Sequence, residues 1–271
     1  MKSLRLMCVL AHPDDESLGT GGILAKYAVE GVGTYLLTAT RGEQGWFGPE
    51  DEYPGPEALG AIREQELRNA AAVLGLQEVV FLNYCDGELD RAGTDEVVGK
   101  IVTHLRRVRP HVVVTFDPFG AYGHPDHVAI CQFATAAVVA AADPAYAGGF
   151  GQPYRVAKLY YFVATRARLA AYQAAFGELV MHVDGAERHG VGWVPWAITT
   201  QVDTAAYWQQ VWQAISCHRS QLPGYEALRN LPEAQQLALW ASESFYRAYS
   251  LVNGGREPER DLFAGLRDGQ A

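Results

Sequence analysis

Leu4-Arg5-Leu6-Met7-Cys8-Val9-Leu10-Ala11-His12-Pro13-Asp14-Asp15-Glu16 is the stretch whose reading decides the fold. The apolar run from Leu4 to Leu10 has the length of a buried strand, and it ends on a polar corner that contains a proline. Ser17 to Glu30 then reads as a helix that stops at Gly31, a residue suited to closing a helix. The same order recurs further along. His111 to Phe116, with Val112-Val113-Val114 at its centre, is a strand that leads through the loop Asp117 to Gly123 into His124-Pro125-Asp126-His127. The alanine-rich helix Val128 to Ala142 follows.

Between the two corners, Thr34 to Thr40 reads as a strand and Arg41 to Gly55 as an irregular loop rich in Gly, Pro, acidic and aromatic residues. Pro56 and Glu57 open a helix that Gly75 ends. Val79 to Tyr84 is a third strand, and Thr94 to Val108 a helix stopped before Pro110. Strands alternating with helices of this length predict an α/β, Rossmann-like, mostly parallel sheet with helices on both faces. Beyond Asp143 the spacing predicts a strand over Val156 to Thr165, an extended segment over Val191 to Val202, and helices over Ala205 to His218 and Pro232 to Tyr249. We therefore expect a single domain over residues 1–271, with a core over 1–142 and C-terminal additions over 143–271 that complete it. No period of 20 to 50 residues repeats, so the echoed triplet is local.

Composition narrows the function. The 271 residues, 49% of them hydrophobic, can bury a sizeable core. A net charge of -9, from 31 acidic and 22 basic residues, argues against nucleic acid, whose phosphates need a basic surface. Cys8, Cys85, Cys131 and Cys217 stand far apart with no C-x-x-C pair, as expected of buried thiols in a reducing compartment. The chain reaches its aspartate pair too early to leave room for a cleavable apolar segment, and no apolar stretch approaches the roughly 18 residues of a membrane span. A cytoplasmic protein without a membrane partner is the expectation, and a homo-oligomer remains open.

In a doubly wound sheet of order 3-2-1-4-5 the first and fourth strands are neighbours, and ligands bind beyond their carboxyl ends. The two His-Pro-Asp corners follow those two strands, so residues over a hundred positions apart are expected to meet. Each proline suits the first position of a helix, which makes each triplet a strand-to-helix corner. His12 and Asp15, three apart, can face one direction, as can His124 and His127. Two imidazoles and one carboxylate with a vacant position form a catalytic zinc site, and we assign His12, Asp15 and His127 to it. Ferrous iron or cobalt would also suit these donors. Asp14 is placed to take the proton of an attacking water, and His124 to stabilise an oxyanion or protonate a departing amine. Asp126 and Glu16 read as dipole partners or supports for a ligating histidine.

A lone His-Pro-Asp would ordinarily mark only the start of a helix. Two copies at strand ends, one carrying His-x-x-His, favour a metal site. Gly19-Thr20-Gly21-Gly22 suggests a dinucleotide site instead, but it lacks the G-x-G-x-x-G spacing and follows an acidic turn that would repel a pyrophosphate. A noncatalytic sugar-binding module would leave Asp14 without a role.

Ala11-His12-Pro13-Asp14-Asp15-Glu16 together with Gly123-His124-Pro125-Asp126-His127 resembles the LmbE-like or PIG-L family of metal-dependent N-deacetylases. The likeness extends to Arg63-x-x-Glu66, Leu74-Gly75, Tyr122 and His218-Arg219-Ser220-Gln221. It implies a Rossmann-like fold, zinc at the positions of His12, Asp15 and His127, Asp14 as base, and removal of acetyl from an N-acetylglucosamine-type amino sugar or its glycoside. Some relatives instead cleave larger acyl amides of thiol conjugates. The resemblance also implies that Arg63 grips sugar hydroxyls and that Tyr122 reaches the reacting carbonyl. Asp86, after the third strand, is a further sugar-binding candidate, although Asp-Gly is also an ordinary turn. Glu43 and Asp117 lie in loops on the same edge, and Trp46 and Phe47 could form a lid. Trp193, Trp196, Trp208, Trp212 and Trp240 read as core or domain-edge residues.

Overall fold

The apolar run near the start of the chain forms a strand, Arg5–Leu10 (β1), buried along nearly all its length. In the computed structural model, which describes residues 3–178, 180–253 and 257–267, β1 pairs in parallel with Gly33–Thr38 (β2) and with Val112–Thr115 (β4). Glu78–Phe81 (β3) extends the parallel set beside β2, and Lys158–Val163 (β5) beside β4. The order 3-2-1-4-5 expected from the sequence is present. Asp15–Val29 (α1) packs on Pro56–Leu74 (α2), while Thr94–Val108 (α3) packs on Pro125–Ala142 (α4). Winding reverses between β1 and β4, so their carboxyl ends open side by side.

The second half joins the same sheet. Ser242–Ser250 (β9) runs antiparallel to β5, and Thr200–Asp203 (β8) antiparallel to β9, which makes seven strands in the order β3-β2-β1-β4-β5-β9-β8. Arg166–Phe176 (α5) follows β5, capped by Thr165, whose hydroxyl accepts the Arg168 N–H. A hairpin of Val180–Val183 (β6) and Ala186–His189 (β7) comes next. Its Asp184-Gly185 turn has both residues at positive φ, the geometry this dipeptide favours. Trp208–Ile215 (α6) packs against α1 and α2, and Glu233–Trp240 (α7) precedes β9.

Four expectations need correction. The helix expected over Pro232 to Tyr249 ends at Trp240, and the remainder is β9, because aromatic residues of β-prone type find two strands to pair with. The extended segment over Val191 to Val202 is broken by a 3-10 turn over Pro195–Ala197, bridging to Thr165 at Trp193 before it and joining the sheet from Thr200 after it. Cys85 is exposed and Cys217 half-buried, leaving Cys8 and Cys131 as the buried thiols. Finally, α4 is long and apolar enough by length and composition to cross a membrane, yet 56% of it is buried inside the fold. A helix so apolar suits the cover of a parallel sheet, and its Ile130, Phe133 and Ala134 sit in the core.

Candidate active site

The first corner is strained. β1 ends at Leu10, and α1 begins only at Asp15, preceded by Asp14 at φ 109° and ψ −26°. A non-glycine residue held there costs about 1–3 kcal/mol, so surrounding bonds must hold it. The Asp14 N–H donates to Glu16 Oε2 at 2.9 Å, while Asp15 Oδ2 accepts the N–H groups of His12 at 2.7 Å and Ala11 at 3.2 Å. Pro13 therefore lies in the turn and does not occupy the first helical position expected for it.

The second corner is relaxed. Pro125 opens α4, and His124 caps it, its Nδ1 accepting the Asp126 N–H at 3.2 Å. The Asp126 carboxylate is fully buried and accepts the N–H groups of Gly87 at 2.8 Å and Leu89 at 3.0 Å.

The two corners bring His12, Asp15 and His127 together. His12 Nδ1 lies 3.1 Å from His127 Nε2, and the Asp15 carboxylate oxygens lie 3.7 Å from the first and 3.5 Å from the second. The outer nitrogens decide where the protons sit. His12 Nε2 faces two acceptors, Asp86 Oδ1 at 3.0 Å and Asp126 Oδ2 at 3.1 Å, and His127 Nδ1 faces the Gly120 carbonyl at 3.3 Å. With those nitrogens protonated, two lone pairs point at each other across 3.1 Å. Such a contact is stable only with a proton or a cation between them. Two nitrogens each about 2.0–2.1 Å from a tetrahedral ion would stand roughly 3.3 Å apart, so the donor set fits a metal.

The electrostatics agree. Burial opposes a charged His12, but bonds to Asp126 and Asp86 and the charge of Asp15 outweigh it and lift the group to about 10. Burial, joined by the His12 charge, presses His124 down to about 4 and His127 well below its ordinary range. Burial raises Asp15 to about 7. The cluster thus admits one positive charge among three imidazoles, the charge a cation would replace. His124 lies close enough to His12 and His127 to be a third nitrogen donor. Asp86 and Asp126 also group with His12, but on Nε2, the side away from His127.

The other candidates fall into distinct places. Asp14 lines the cavity with one oxygen occupied, Oδ2 accepting from Arg63 Nη2 at 3.0 Å and the Tyr225 hydroxyl at 2.6 Å. Arg63 is only 3% exposed and also donates to the carbonyls of Gly42 at 2.7 Å and Pro13 at 2.5 Å. Its guanidinium thus ties the Gly42 loop and the first corner to Asp14, and Arg63 also lines the cavity. Asp86 bonds His12 and accepts the Gln44 N–H at 3.0 Å, and it too lines the cavity. Tyr122 stands edge-on to His124 and His127, with ring centroids at 6.2 and 5.5 Å. Glu43 holds the Asp86 N–H at 2.9 Å, and Asp117 accepts Trp193 Nε1 at 2.6 Å. Phe47 lines the cavity, whereas Trp46 turns its Nε1 to the Pro49 carbonyl. Trp240 is buried and Trp196 is 87% exposed.

Sequence reasoning missed the underside of the site. His218, fully buried, donates from Nε2 to Glu16 Oε1 at 2.8 Å, and Glu16 in turn holds the Asp14 N–H. Ser220 bonds Glu66 through both N–H and hydroxyl, and Gln221 Nε2 bonds the Gly45 carbonyl at 2.9 Å. The quartet His218-Arg219-Ser220-Gln221 was the available signal for these contacts; Tyr225 had none.

Comparison with known proteins places this geometry. Residues 7–138 match the model of the PIG-L family, described as GlcNAc-PI de-N-acetylase. A 1D-myo-inositol 2-acetamido-2-deoxy-alpha-D-glucopyranoside deacetylase from Rhodococcus jostii (strain RHA1) is 34% identical, over 98% of this chain and 99% of that protein. The chain belongs to the PIG-L family. Among solved structures, the conserved protein TT1542 from Thermus thermophilus is 29% identical with a TM-score of 0.64, covering 92% of this chain and 97% of that one. The N,N'-diacetylchitobiose deacetylase from Pyrococcus horikoshii, at 22% identity, shares the fold with a TM-score of 0.68 over 91% of this chain and 84% of its own. The PIG-L match contains both corners, Arg63 and Asp86, but stops short of His218 and Tyr225.

Proposed function

We propose that this PIG-L family protein is a zinc-dependent deacetylase, formed by residues 1–271 as one domain, that hydrolyses the acetamide of an N-acetylglucosamine-type amino sugar or its glycoside. The observation that carries the reading is the pair of imidazole lone pairs, His12 Nδ1 and His127 Nε2, facing each other beside the Asp15 carboxylate. The names of the relatives support the substrate class. His12, Asp15 and His127 would hold the ion, which supplies Lewis acidity and makes water acidic enough to ionise near neutral pH. Asp86 and Asp126 keep His12 in the tautomer that presents Nδ1.

Asp14 acts as general base. With Oδ2 fixed by Arg63 and Tyr225, Oδ1 takes the proton as water adds to the amide carbon. His124 is neutral at pH 7 and accepts the Asp126 N–H at Nδ1, so its hydrogen sits on Nε2, where it can hydrogen-bond to the developing oxyanion without leaving the ring. In the same reading Tyr122, edge-on to the His124 ring, is assigned to the reacting carbonyl. Collapse breaks the carbon–nitrogen bond, and the amine takes up the proton held by Asp14, giving acetate and a free amino sugar. A cytoplasmic location belongs to the same reading; among the described residues the helix long and apolar enough to cross a membrane, α4, packs into the sheet's cover. Acetate release from a panel of N-acetylglucosaminides by the zinc-loaded protein, beside Asp14→Asn, tests it. Equal release by the variant would remove Asp14 as base, and no release from any substrate would overturn the deacetylase reading.

A further inference from the structure

The cavity over the histidine cluster, about 500 Å³, has two unlike ends. One end holds His12, Asp14, Asp15 and His124. The other is walled by Leu18 of α1, Phe162 and Val163 of β5, Leu169 and Tyr172 of α5, and Met181 of β6. An aromatic path joins the ends. Phe116 stacks on His127 with centroids 3.9 Å apart and planes at 16°, and Phe162 lies 4.6 Å from Phe116. Gly19 makes room for this path, since a Cβ there would stand 3.0 Å from the Phe162 ring. Further charged groups line the cavity: Arg168 donates through Nη2 to the Leu18 carbonyl at 3.2 Å, and Asp117 accepts Trp193 Nε1 at 2.6 Å.

Beyond the reach of the Tyr172 hydroxyl and Arg168, a polyol pressed against Leu, Phe, Val and Met would lose water without regaining hydrogen bonds, at a cost of about 1–3 kcal/mol per hydroxyl on protein scales. An alkyl or aryl group would gain by the same burial. We infer that the apolar end is a subsite for an alkyl or aryl group carried by the amino-sugar substrate, entering either as the aglycone or as an acyl chain longer than acetyl. The inference rests on the deacetylase reading and names its substrate class, which differs from the inositol glycosides named for the relatives.

The test compares kcat/KM along two series with the zinc-loaded protein: methyl to octyl glycosides of N-acetylglucosamine, and N-acetyl to N-octanoyl glucosamine. One series is expected to rise about fourfold per methylene, the equivalent of ~0.8 kcal/mol, until the chamber is filled. The series that rises identifies the source of the group. Leu169→Asn should cut the ratio between successive members below twofold, and the milder Leu169→Ala should lower it part-way. Binding of alkyl glucosaminides and of N-alkanoyl glucosamines to Asp14→Asn, measured by calorimetry, reads the same increment without turnover. Flat affinity and flat kcat/KM in both series, or preference for the inositol glycoside over every alkyl glycoside, would overturn the inference. Flat kcat/KM with acetate still released would leave the deacetylase reading standing; rising affinity with no release would do the reverse.

Discussion

The two His-Pro-Asp corners share three letters and differ in almost everything else. At His12-Pro13-Asp14 the proline lies outside the helix and the aspartate is forced to φ 109°, which turns its side chain into the cavity between Arg63 and Tyr225. At His124-Pro125-Asp126 the proline starts the helix, the histidine caps it, and the aspartate is buried under backbone amides. One corner uses strain to turn a carboxylate into the cavity, and the other uses relaxed geometry to hold a neighbour's histidine. The same triplet can therefore serve two roles, and what packs beneath it selects between them.

The widest break in this comparison is expected at the two aspartates. Asp14→Asn should lower kcat by about 10²–10⁴-fold while one metal per chain remains by elemental analysis. The equivalent change in the second corner, Asp126→Asn, should instead weaken metal affinity by about 10–100-fold in a chelator competition. Equal phenotypes would show that the corners are interchangeable.

The buried Glu16–His218 pair under the first corner gives a stability test. Burial opposes both charges, but each partner outweighs it, lowering Glu16 below 4.5 and raising His218 above 6.5. The Glu16 contribution is present above 4.5 and lost as pH falls through its depressed value; the His218 contribution is present below 6.5 and lost as pH rises through its raised value. Urea midpoints should therefore fall above pH 6.5 in the parent. His218→Gln, breaking a buried pair, should cost about 3–5 kcal/mol near pH 6 and make that alkaline slope shallower, the raised His12 supplying what remains.

Smaller effects sharpen the contrast. Tyr225→Phe removes a hydrogen bond to a charged group, commonly worth about 1.5–3 kcal/mol, and should reduce kcat by about tenfold with metal content unchanged. Pro125→Ala should cost no more than about 1 kcal/mol by thermal unfolding, because the proline acts mainly through the unfolded chain. A loss of metal in Pro125→Ala would mean that the second corner is strained after all.

Much of this was legible in the residues. Val112-Val113-Val114 and Leu6 to Leu10 read as buried strands because a parallel sheet covered on both faces needs uninterrupted apolar runs. Strand order followed from alternation, and with it the meeting of His12 with His127. The C-terminal half was harder. Ser242 to Ser250 is a strand because β5 and β8 offer it hydrogen-bond partners, information that lies about eighty and forty residues away. The commitments of Arg63 and Asp86 were hidden for a related reason, since a side chain's partner depends on which carbonyl or imidazole the fold delivers to it.

By itself the sequence determined the parallel part of the sheet, its winding and the set of groups at the two strand ends, because periodicity and corner residues act over short distances in the chain. Only the tertiary structure decided which nitrogen of His12 faces inward, what holds the Asp14 carboxylate, and that an apolar chamber adjoins the cluster. Those depend on contacts from α5, β6 and the segment around Tyr225, which no local pattern encodes.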